Sequence, residues 1–77
     1  MATYKLYRDQ TECDSDNWGP PRSEHPDLAS AMAAAGIPPE GWMWERTCPD
    51  EVYTLDSEGQ PDWSILAPAV AAELKGR

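Results

Sequence analysis

Phenylalanine is absent from this chain, and histidine occurs once. Without Phe, four Trp and three Tyr carry the aromatic bulk. Each has a polar handle and suits half-buried positions or interfaces. The single His25 restricts acid–base chemistry: a Cys–His dyad would have to pair it with Cys13 or Cys48, the only two cysteines. Basic side chains are scarce as well. Six Lys and Arg face fourteen Asp and Glu, a formal net charge of −8. Neutralising phosphate needs Lys and Arg, so direct binding of nucleic acid is not expected, nor binding to an anionic membrane. No apolar run approaches the roughly 18 residues of a membrane span. The N-terminal Met-Ala-Thr-Tyr-Lys-Leu-Tyr-Arg lacks the apolar stretch of a signal peptide. The expectation is a cytoplasmic protein whose cysteines are thiols.

Chemical motifs are equally sparse. Structural zinc sites use close ligand pairs, and no two of Cys13, His25 and Cys48 lie within four residues of each other. Asp14 and Asp16 are spaced as in the start of a calcium loop, but the Gly and terminal Glu do not follow. No Gly-rich phosphate loop is present. Cys48 precedes Pro49 in a turn, where a thiol is accessible, yet no oxyanion-hole signature accompanies it. Neither an enzyme nor a cofactor or metal is expected.

What is there centres on Trp42–Asp56, which reads as two short strands joined at Cys48-Pro49-Asp50. Aromatic and β-branched residues suit a pleated surface, and Pro and Asp punctuate it. The length of 77 residues makes residues 1–77 one domain. A domain this small buries only about 60% of its unfolded surface. Upstream, residues 2–8 alternate as a strand with Tyr4 and Leu6 inward. Residues 9–25 read as a long loop, excluded from regular structure by Gly19-Pro20-Pro21. Within it Trp18 either plugs the edge of the core or stands as an exposed anchor. Residues 26–35 read as a helix, with Ser23 as a candidate N-cap and Pro26 in the first turn. Leu28, Ala31, Met32 and Ala35 share its apolar face, and Gly36 supplies a left-handed stop with Ile37 packing back. Asp56–Asp62 reads as a turn with Gly59 free to take positive φ. A second helix is expected from about Ala67, on a stripe of Trp63, Leu66, Val70 and Leu74. If it starts there, Asp62–Leu66 is extended; if Ser64 is instead the N-cap, Pro68 still lies in the first turn, where it is tolerated. The order β-α-β-β-α implies an α+β domain: a three-stranded, mostly antiparallel sheet with two short helices on one face. Trp42 or Trp44 would then stand partly exposed on the other.

Acidic residues recur in every loop, and a basic partner surface is their natural complement. Asp9, Glu12, Asp14, Asp16, Asp50 and Glu51, with Trp18 and Trp42 as aromatic anchors, are the candidate partner-binding residues. In size, charge and order of elements the chain resembles the phage-encoded anti-CRISPR inhibitors and related DNA-mimic proteins. The resemblance covers the whole chain, but no residue motif carries it and no residues transfer. It implies a non-enzymatic inhibitor, a monomer or weak dimer, occupying the DNA-binding surface of a bacterial CRISPR effector complex. The rival expectation is a small accessory or structural domain, of phage or toxin–antitoxin type, whose acidity serves only solubility.

Overall fold

The computed structural model describes residues 3–8 and 21–76. Among these the fold is α+β, as the pattern implies, but the sheet has five strands rather than three, all paired antiparallel. The strands are β1 (Tyr4–Arg8), β2 (Ser23–His25), β3 (Met43–Trp44), β4 (Glu51–Leu55) and β5 (Pro61–Leu66), in the spatial order β2-β1-β5-β4-β3. Helices α1 (Leu28–Ala35) and α2 (Val70–Lys75) complete the fold, with a 3-10 turn at Pro39–Gly41.

The two unforeseen strands have different causes. β2 is Ser-Glu-His, without a β-branched or aromatic residue, and lies inside the expected loop. It is extended because it pairs with β1, Tyr4 opposite His25 and Leu6 opposite Ser23. β5 covers the end of the expected turn and the stretch Asp62–Leu66, which was expected to be extended but not to join the sheet. Proline at its first position is tolerated, since no ladder bond is required of it there. β5 lies between β1 and β4, with Ile65 opposite both Leu6 and Val52. Trp63 and Leu66 therefore belong to a strand and not to the stripe of the second helix.

Leu6, Val52 and Ile65 form the middle of the inner sheet face. Against them pack Leu28, Ala31 and Met32 of α1 and Val70, Ala71 and Leu74 of α2, all buried. Helix α1 starts two residues later than expected, and its N-cap is Asp27, not Ser23. The Asp27 carboxylate accepts the Ser30 N–H at 2.7 Å. Ser23 is instead a strand residue whose hydroxyl meets His25 Nε2 at 2.8 Å. Gly36 ends the helix at φ 75°, and the Ile37 N–H reaches back to the Met32 carbonyl at 3.4 Å, the closure the sequence predicts. Helix α2 starts at Val70, with Pro68 in the turn before it. The Tyr4 hydroxyl donates to Glu73 Oε1 and ties β1 to α2. No helix among the described residues is long and apolar enough to cross a membrane.

Candidate partner-binding surface

Trp42 is a core residue. It is 5% exposed, and its indole N–H donates to the Ile37 carbonyl at 3.3 Å. That burial corrects the expectation of a partly exposed Trp42 and leaves a partner almost no area to contact. The reason is the chain path: the 3-10 turn at Pro39–Gly41 brings Trp42 back to the Ile37 carbonyl and into the core before β3 begins. Gly41 permits this approach, because a Cβ there would lie 2.7 Å from Ile37 Cγ2. Trp44 is half-buried on the inner face, with the Lys75 ammonium 5.4 Å from its ring centroid.

Asp50 and Glu51 lie where β4 begins, and Asp50 has a structural task. Its Oδ1 accepts the Ala69 N–H at 2.9 Å, while its carbonyl accepts the Ala67 N–H at 3.1 Å. The neighbouring Pro49 carbonyl accepts the Ala71 N–H at 3.0 Å. These three bonds fasten the β3–β4 loop to the start of α2, where Ala69 sits at φ 57°. Glu51 points to the sheet face opposite the helices. Asp9, Glu12, Asp14, Asp16 and Trp18 lie outside the described residues.

The outer sheet face, which the sequence reading gave to Trp42 or Trp44, carries other residues. Register places Met43, Tyr53, Ser64 and Tyr7 in one row across it, with Glu51, Leu66 and Lys5 in the next. Tyr7 and Ser64, on β1 and β5, are buried. The β3–β4 side is open: Met43 is 46% exposed and Leu55 42%, the exposed large hydrophobics of the described residues. A shallow groove there is lined by Glu45, Glu51, Tyr53 and Pro61. Burial first, then the charges of Glu45 and Glu51, then Cys48, raise the Tyr53 phenol above its ordinary 10.0. Each disfavours a phenolate, so the groove is a place where negative charge is unwelcome. The groove on the α2 side of the same loop is mixed in charge, since Arg46 and Lys75 line it together with Glu45.

Two proposed chemistries can be placed directly. His25 is on one edge strand of the sheet and Cys48 is in the loop joining the two strands at the other edge. With neighbouring strands about 4.8 Å apart, that separation is on the order of 15–20 Å, so they form no dyad. Cys48 is an exposed free thiol, and Cys13 lies outside the described residues. Among the described residues no three His, Cys, Asp or Glu side chains converge on a possible metal position. No protein-family model, curated protein or solved structure matches the chain, so its own surface carries the functional reading.

Proposed function

We propose that this protein is a non-enzymatic binding protein of the anti-CRISPR type, whose acidic surface occupies the nucleic-acid-binding site of a bacterial complex in the cytoplasm. The supporting observation is the charge excess of the described surface. It holds ten carboxylates against five Lys and Arg, and none of those ten residues is buried. One-to-one pairing would still leave five carboxylates for a partner. Arg8 pairs with Asp62 at 3.5 Å, a surface contact of small energetic weight.

The acids form two groups along β4. Glu45, Asp50 and Glu51 stand at its start, and Asp56, Glu58 and Asp62 at its far end. Five residues of strand set the groups roughly 17 Å apart. A Lys- and Arg-lined channel for a nucleic acid backbone would meet both. The rival reading, an accessory domain that binds through an apolar patch, draws on the exposure of Met43 and Leu55.

The test is capture from a nuclease-treated bacterial lysate on the immobilised protein at low salt, followed by elution with rising salt or with duplex DNA. Release of a nucleic-acid-binding complex by either eluent is the expected result. Exposed-charge recognition weakens as salt shortens the Debye length to about 8 Å at physiological strength. Retention of nothing, or of partners indifferent to both salt and DNA, would sink the acidic-mimic reading.

A further inference from the structure

We infer that the open β3–β4 side of the outer sheet face docks a partner segment that carries apolar side chains together with Arg or Lys. This deepens the proposed function and rests on its charge reading, but it names the face and the chemistry of what covers it.

Three observations converge on this face. Met43 and Leu55 are large, exposed and on the same side of the sheet, since Met43 stands opposite Tyr53 and Leu55 is two residues along β4 from it. Tyr53 lies between them, half-buried, and an aromatic ring with a polar tip is a favoured interface anchor. The groove beside the ring is walled by Glu45 and Glu51. A cation entering there meets two carboxylates and an aromatic face, both attractive to Arg or Lys. The one Lys or Arg of the described strands on this face is Lys5, on β1, separated from Glu51 by Leu66. Two strand spacings put the Cα of Lys5 about 10 Å from that of Glu51. Arg46 and Lys75 line the other side of the loop. The face therefore offers apolar area and negative charge together, and the complement of both is a segment with apolar and cationic side chains.

Such an interface differs from pure phosphate mimicry, which would use charge alone. Two synthetic peptides separate the cases: an eight-residue Arg-Leu repeat and an eight-residue Arg-Ser repeat, each titrated into uniformly ¹⁵N-labelled protein. The Arg-Leu peptide should bind about tenfold tighter, with amide shifts concentrated at residues 43–45 and 51–55. Met43→Ser should remove about that factor for the Arg-Leu peptide and leave the Arg-Ser peptide unaffected. Because Met43 is exposed, the variant keeps its fold, which the unperturbed amides of α1 and β1 report. Tyr53→Ser, read the same way, should weaken both peptides. Equal, salt-sensitive binding of the two peptides would overturn the docking face and leave the acidic reading standing. Shifts centred on other elements would do the same. Absence of salt-sensitive binding by either peptide would overturn both.

Discussion

At the scale of the residue, Asp50 is where structural and functional demands meet. It was a candidate for partner contact from its charge and its place in a turn, yet its carboxylate accepts the Ala69 N–H at 2.9 Å. That bond satisfies a backbone donor just ahead of α2, which has no side-chain cap of its own. The task belongs to the acceptor oxygen and not to the charge, so the two roles separate by substitution. Asp50→Ala should cost about 1 kcal/mol, as loss of a cap usually does, lowering the urea midpoint without altering the slope. Asp50→Asn keeps an oxygen in place and should cost only a few tenths, within the ordinary surface range. If Asn is as destabilising as Ala, the bond to Ala69 is not what Asp50 contributes. If Asn preserves stability but weakens capture of a basic partner, the charge has its own function.

At the scale of the element, the sheet holds both the legible and the illegible parts of the sequence. Helix α1 was legible because its signals are local: alanines with high propensity, Leu28 and Met32 one turn apart, and Gly36 where the left-handed stop belongs. β2 was not, because Ser23-Glu24-His25 has no strand signal and becomes a strand only by pairing with β1. β5 was legible only as an extended stretch: Trp63 and Leu66 match the helical spacing of Val70 and Leu74, a coincidence that tertiary pairing overrides, and nothing local places the stretch in the sheet. The buried position of Trp42 was illegible for the same reason, since it depends on the path of the preceding turn. The residues of the outer face could have been found from the alternation of Met43 with Trp44 and of Tyr53 with Val52, had the Val52 and Trp44 face been the one assigned to the helices. β5 also contains an irregularity that no local signal announces. Between the pairs Tyr53–Ser64 and Leu55–Pro61 it has one residue more than β4, a bulge opposite Thr54. The buried Thr54 hydroxyl accepts the Trp63 N–H at 3.0 Å, satisfying a donor that the disrupted ladder leaves over. Thr54→Val, nearly the same in shape, should cost about 1–3 kcal/mol through that unsatisfied donor. Thr54→Ser, which keeps the acceptor, should cost less in the same denaturation experiment. Equal losses would mean that the methyl group, and not the hydroxyl, holds the bulge.

At the scale of the whole molecule, the charge excess should act on stability and, under the proposed function, on binding, with opposite dependence on salt. The molecule measures 28 × 26 × 25 Å and carries a formal charge of −8. The Debye length is about 30 Å at 0.01 M ionic strength and about 10 Å at 0.1 M. At the lower value every carboxylate repels every other across the full width of the protein, which opposes compaction. At the higher value that repulsion is mostly screened, whereas short contacts such as Asp27 with the Ser30 N–H lie well inside the screening distance. The melting temperature should therefore rise with salt over this range. A gain of about 1 kcal/mol would appear as roughly 4–8 °C for a domain of this size. Glu58→Gln separates screening from any general effect of salt, because Glu58 is exposed on the β4–β5 turn and the substitution removes one repelling charge. It should raise the melting temperature at low salt and lose that advantage as salt is added. A melting temperature that falls with salt, or a Glu58→Gln gain independent of salt, would show that self-repulsion is not a significant load on the fold. The same addition of salt should weaken a partner held by these carboxylates. A protein that becomes more stable while it binds less tightly is the behaviour expected of an acidic surface kept for recognition.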